Sequence, residues 1–185
     1  MLQQVQNRVA SPAVWAIDPA HSEVGFAVKH LMVATVKGAF RTFSGKLVLN
    51  EQNLSASSIE AEIDVASIDT RQEQRDAHLR SADFFDAENF PTITFRSTKI
   101  EQLRHSHFRA VGELTIRGVT REVVLDVEET GRATDPWGAE RIGYSAVTRI
   151  KREDFGLTWN QALEAGGVLV GSEVKITLEI QVVKQ

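Results

Sequence analysis

The sequence predicts an all-β protein: an antiparallel barrel of about eight or nine strands with one short helix around residues 70–80. Three observations predict it. Apolar and polar residues alternate with period two along most of the chain. Several alternating runs reach about eight to ten residues, roughly 26–33 Å at ~3.3 Å per residue, which is long for a sandwich and natural for a barrel. The single clear break in the rhythm, Asp69 to Asn89, is polar and rich in helix formers.

The alternation assigns each strand an inner face. Ile59, Ala61, Ile63 and Val65 oppose Ser58, Glu60, Glu62 and Asp64. Phe108, Ala110, Gly112, Leu114 and Ile116 form the next inner set, followed by Val123, Leu125 and Val127. Ile142, Tyr144, Ala146, Thr148 and Ile150 share a face, and the cleanest run sets Val174, Ile176, Leu178, Ile180 and Val182 against Glu173, Lys175, Thr177, Glu179 and Gln181. Further strands are expected at 22–29, 33–41, 43–50 and 91–100. A barrel closed on itself buries one face of every strand and leaves no open edge.

In the break, Arg71 to Arg80 reads as a short helix across one end of the sheet, with Thr70 as N-cap and Glu73 at the capping-box position. A second irregular stretch, Asp154 to Gly171, holds Phe155, Leu157, Trp159 and the pair Gly166-Gly167. Residues 1–13 read as a flexible polar tail and residues 14–185 as one domain.

Composition narrows the function. The 185 residues suffice for a core without metals or disulfides, and with no cysteine, disulfides, thiol nucleophiles and Cys-based metal sites are excluded. The net charge of −4 gives no electrostatic footprint for nucleic acid. No apolar run reaches the roughly 20 residues of a membrane helix. The N-terminal stretch has no apolar core of the signal-peptide kind, which reads as cytoplasmic as written, or as periplasmic or secreted after removal of a leader.

Polar candidates for chemistry are sparse. His105 and His107 lie two apart without a third ligand and read as a solvated turn; His21 and His30, with Asp18 near, read as histidines ordering a turn. Gly166 to Gly171 lacks the Lys-Ser/Thr of a phosphate loop. No metal, cofactor or catalytic residue is expected. Were the barrel an enzyme, Asp76 and His78 would be the first suspects, although two residues apart they do not face each other on a helix.

The apolar content is more telling. Phenylalanine occurs nine times and tyrosine once. The phenylalanines lie on strands or at their ends, where they would fill a solid core or line a hollow one that takes a long lipid tail. Period two is common to both cases. A solid barrel would be an interaction module, a hollow one a lipid binder.

At the motif level the chain resembles the YceI-like family of polyisoprenoid-binding, lipocalin-like proteins. The blocks run from Trp15-Ala-Ile-Asp-Pro-Ala-His-Ser22 and Val24-Gly-Phe-Ala-Val-Lys-His30 through Val36-Lys-Gly-Ala-Phe40 and Phe43-Ser-Gly-Lys-Leu47. The central signature is Ser67-Ile-Asp-Thr-Arg71 with Arg75-Asp-Ala-His-Leu-Arg-Ser-Ala-Asp-Phe-Phe-Asp86. Pro91-Thr-Ile-Thr-Phe95, Gly112-Glu-Leu-Thr-Ile-Arg-Gly-Val-Thr120, Asp154-Phe-Gly-Leu-Thr-Trp-Asn160 and Val170-Gly-Ser-Glu-Val174 complete the set. The resemblance implies an extended eight-stranded antiparallel lipocalin-like barrel with a long apolar cavity. It implies a long-chain amphiphile as ligand, such as a polyprenyl phosphate, an isoprenoid quinone or a fatty amide. It also implies a homodimer in many members, export in many, and no catalytic residue.

From inward-facing apolar positions near these blocks, the tail is expected among Phe26, Val28, Val36, Phe40, Phe43, Phe84, Phe85, Phe95, Leu114, Ile150, Phe155 and Trp159. His21, Arg75 and His78 are the residues expected to hold the head group at the mouth. The expected role is to carry or sequester the lipid.

Overall fold

A computed structural model describes residues 11–185. Most of the expected tail lies outside the described residues, and Ala13 already opens the first strand. The strands are β1 (Ala13–Ile17), β2 (Glu23–His30), β3 (Ala34–Phe40), β4 (Phe43–Leu49), β5 (Ser58–Asp64), β6 (Ile68–Asp69), β7 (Thr92–Arg104), β8 (His107–Ile116), β9 (Val119–Thr134), β10 (Glu140–Lys151) and β11 (Val170–Lys184), with α1 (Glu73–Arg80) between β6 and β7.

Eleven strands make eight walls. β1 and β2 both pair with β11, one after the other, so they act as a single strand bent at Pro19. The bend is a one-turn 3₁₀ helix whose first free N–H, on Ala20, is accepted by the Asp18 carboxylate at 3.0 Å. β3 and β4 follow the same logic, pairing with β2 and β1 respectively. Around the ring the order is β1-β4-β5-β7-β8-β9-β10-β11, and the β1–β11 pairing closes it. All these pairings are antiparallel. The closed, eight-walled antiparallel barrel is the architecture expected from the sequence.

The registers confirm the expected inner faces. Ala110, Leu114, Ile116, Val123, Leu125, Ile142, Ala146 and Val182 are all buried. β1 was not among the expected strands, and its pairings with β4 and β11 complete the ring. Its Trp15 is buried against Ile142 and Val182.

The ends of the barrel differ. One end carries the β4–β5, β7–β8 and β9–β10 loops. The other carries the β2–β3 turn, the long β6–β7 segment with α1, and the segment between β10 and β11. The helix is shorter than expected: it starts at Glu73, and Gln72, not Thr70, caps it by accepting from the Arg75 N–H. The reason is local. Arg71 adopts a left-handed backbone, φ 65°, with its N–H on the Asp69 carboxylate at 2.8 Å, so a helix cannot start at Thr70. Thr70 instead gives both its N–H and its hydroxyl to the buried Asp76 carboxylate, which pins the helix to the end of β6.

Candidate functional site

The barrel is hollow. A cavity of about 510 Å³ runs inside it, walled almost wholly by aliphatic and phenyl groups. The volume falls within the usual range of small-molecule pockets. Its far end is floored by the α1 segment, where Leu79, Phe84 and Phe85 face inward. Phe85 meets Phe40 edge to face with centroids 5.9 Å apart, and Phe40 packs on Phe26 at 5.7 Å.

Of the apolar positions expected to meet the tail, Phe26, Val28, Phe40, Phe43, Phe84, Phe85, Phe95, Leu114 and Ile150 line the cavity. Three do not. Val36 lies in the half of β3 that pairs with β2 alone, beyond the short β6. Phe155 is 2% exposed but belongs to the turn after β10 and packs into the core rather than facing the lumen. Trp159 packs 5.3 Å from Phe84 and backs the floor.

The three expected head-group residues do not converge, and none lines the cavity. The His21 side chain is 61% exposed in the β1–β2 turn, with Nδ1 2.8 Å from Asp18. Arg75 gives Nε to the Thr70 hydroxyl at 2.7 Å and Nη2 to the Thr70 carbonyl at 2.8 Å, so it serves the helix junction. His78 sits 2.9 Å from Asp83 and stands edge-on to both Phe84 and Trp159. The sequence marked these groups because they are charged and near a family block. The structure uses each of them locally. His107 likewise turns Nδ1 to the His105 carbonyl oxygen, 3.1 Å away.

Ser44, Lys46 and Thr148 meet the cavity along its walls, and the largest group of polar side chains meets it at the opposite end, the mouth. That group is Glu51, Ser57, Gln102, Glu129, Arg132 and Tyr144. Their placement depends on a β-bulge. Along β9, Val123, Leu125, Val127 and Glu129 line the lumen; then Tyr144 pairs with Glu129 and Gly143 with Gly131, leaving Thr130 without a partner. The extra residue shifts the inward phase, so Arg132 lines the lumen too. Arg132 grips Glu129 with two parallel bonds, Nε to Oε1 at 2.6 Å and Nη2 to Oε2 at 3.1 Å. Its Nη1 donates to Glu51, two residues past β4.

β4 and β9 stand four places apart in either direction round the eight-walled ring, so the Arg132–Glu51 pair ties the β4–β5 loop to the opposite wall across the mouth. The two carboxylates raise the Arg132 pKa above its ordinary value, Glu129 contributing most. Burial, and then the Glu129 charge, push the Tyr144 phenol up to about 12. Its hydroxyl has no hydrogen-bond partner among the described residues.

Among the described residues, one charged group meets the other end of the cavity. Arg152 is 3% exposed, and main-chain carbonyls take its donors: Nε on Gly171 at 2.8 Å, Nη1 on Leu157 at 2.6 Å and Trp159 at 2.9 Å, and Nη2 on Val170 at 3.3 Å. Burial lowers its pKa. It holds the segment between β10 and β11 in place.

A family model described as the YceI-like domain matches residues 15–182, nearly the whole barrel. The chain belongs to the YceI-like family. The UPF0312 protein of Vibrio cholerae serotype O1 is 37% identical over 150 residues, 80% of this chain and 79% of that protein. The UPF0312 protein of Staphylococcus aureus strain MSSA476 is 40% identical over 162 residues, 87% of this chain and 92% of that protein. Among solved structures, Burkholderia cenocepacia BcnA superposes with a TM-score of 0.78 at 25% identity, over 89% of this chain and 98% of that one. The Campylobacter jejuni YCEI protein superposes at 0.73 with 33% identity, over 91% and 96% of the two chains. A polyisoprenoid binding domain from Saccharophagus degradans, implicated in plant cell wall breakdown, shares the fold at a TM-score of 0.67 and 14% identity, over 94% and 99%. In this YceI-like chain the barrel is thus the shared frame, and the cavity is the feature to be explained.

Proposed function

We propose that this YceI-like protein carries or sequesters a long-chain amphiphile of the isoprenoid, isoprenoid-quinone or fatty-amide type, with its tail in the barrel. The observation that carries this reading is the apolar cavity of about 510 Å³ inside a closed barrel, phenyl-floored at one end and polar at the other. A tail there gains about 0.8 kcal/mol per buried CH₂, against the cost of association. The carboxylates that meet the lumen at the mouth, Glu51 and Glu129, are both held by Arg132. Asp76, the buried carboxylate near its floor, is taken up by Thr70. That favours binding over catalysis.

The test is mass spectrometry of the organic extract of freshly purified protein, followed by uptake of a fluorescent long-chain lipid by wild type, Leu114→Trp and Ala146→Phe. Both residues line the lumen, Ala146 from a small side chain with less to displace. A stoichiometric amphiphile in the extract and uptake lost in the filled variants, with far-UV spectra unchanged, is the expected result. Undiminished uptake in a folded variant of either kind overturns the reading.

A further inference from the structure

The mouth carries its own chemical preference, which the tail does not set. Glu51 and Glu129 supply two negative charges against one positive charge on Arg132, a local balance of −1. Glu129 is the more sheltered of the two, its side chain 17% exposed. Several other charged groups at this end are matched outside the lumen. Arg141 joins Asp135 and Asp18, Lys184 joins Glu140, and His107 faces Glu128. Of the remaining cations, Lys46 lines the cavity with its Nζ 3.9 Å from Glu60, and Arg104 at the β7–β8 turn is exposed and does not line it, so Arg132 is the cation that meets Glu129 inside the mouth among the described residues.

An anion arriving here would meet two carboxylates and a guanidinium already held by them, with the sheltered Glu129 the less screened of the two negative charges. Uncharged polar groups find better partners. Tyr144 offers an unengaged O–H beside Glu129 in the ladder, the carboxylates accept from an amide or hydroxyl, and Gln102 adds an amide that can do both. At the opposite end, the donors of Arg152 are occupied by carbonyls, so a head group gains nothing by entering first.

We infer that the Glu51–Arg132–Glu129–Tyr144 rim is a head-group site selecting uncharged polar heads, such as amides, alcohols and quinones, and rejecting carboxylates and phosphates. The inference rests on the lipid-binding reading above, and it adds the head-group class. The bulge at Thr130 is what builds it, since unbroken alternation would present Gly131 in place of Arg132.

The experiment is a binding series with one chain length and four ends: the fatty amide, the alcohol, the carboxylate at about pH 8, where it is ionised, and the plain alkane. The amide and alcohol should bind about tenfold or more tighter than the carboxylate. In the Glu51→Gln/Glu129→Gln double variant the local balance becomes +1 and the preference should reverse. Tyr144→Phe should weaken the amide and leave the alkane unchanged. Equal or tighter carboxylate binding by wild type overturns the inference and leaves the carrier reading standing. Binding of no member, the alkane included, overturns the carrier reading and the inference with it.

Discussion

Arg132 holds Glu129 through two parallel N–H···O bonds although the two stand three residues apart on one strand, a spacing that regular pleating would send to opposite faces. Thr130 makes it possible by dropping out of the ladder with β10. A strand that is apolar on its inner face as far as Val127 thereby ends in a charged pair facing the lumen. The same strand supplies the tail wall and the mouth, which fixes the distance between them.

Tyr144 is the chain's only tyrosine, so the phenolate absorbance of the whole protein reports this one group. Burial and the neighbouring Glu129 push its pKa up to about 12 from the ordinary 10.0. The folded state thus keeps a proton that the unfolded chain releases, and the stability tied to it is present below pH 10 and is lost as pH rises toward 12. The expected titration midpoint is near 12 while the fold persists, falling to about 10 in denaturant. A native midpoint at the unperturbed value would place the phenol in water.

What the sequence showed and what it hid divide along periodicity. Ile59, Leu114, Leu125, Ile176 and their strand neighbours announce an inner face because local alternation is all that is needed. β1 did not announce itself. It is five residues long, and its place is set by β11 and β4, both remote in sequence. The mouth was hidden because a bulge breaks period two after Val127, where the inner set of Val123, Leu125 and Val127 ends. Arg75 and His78 drew notice for their charge, but charge does not reveal that Thr70 and Asp83 already engage them.

Gly38 shapes the wall through the side chain it lacks. A Cβ there would lie 2.4 Å from the Phe26 ring and 2.8 Å from the Thr70 methyl. Gly38→Ala should therefore drive Phe26 off its seat and into the lumen, costing about 1–3 kcal/mol of stability. Long-chain uptake should fall more than that of a short chain, measured alongside denaturant unfolding. Equal loss for both lengths would mean that the ring moved elsewhere.

Arg141 ties the bent first wall to the β9–β10 turn, reaching Asp18 and Asp135 at 2.8 Å each. Asp18 is held below its usual carboxylate range by His21 first and Arg141 second, Asp135 by Arg141 first. Both are depressed, so their contribution is present above about pH 4 and lost as pH falls below it. Arg141→Gln should lower the melting temperature at neutral pH, and the gap to wild type should close in acid. A gap independent of pH would assign the loss to packing of the arginine stem.

Arg152 is a buried cation whose hydrogen-bonded partners are main-chain carbonyls, with Glu153 no nearer than 3.8 Å. A planar guanidinium can satisfy Gly171, Val170, Leu157 and Trp159 together because its donors diverge in one plane. A lysine ammonium concentrates its donors at one point and cannot span them. Arg152→Lys should therefore rescue little of the loss in Arg152→Ala, which orphans several carbonyls at about 1–3 kcal/mol each where they stay buried. The segment behind Phe84 would then loosen, with faster amide exchange at Leu157, Trp159 and Gly171 before the barrel itself unfolds. If Arg152→Lys were as stable as wild type, charge rather than fork geometry would be what holds the segment. If exchange rose evenly across β7 to β10 instead, Arg152 would be supporting the barrel and not the segment beneath its floor.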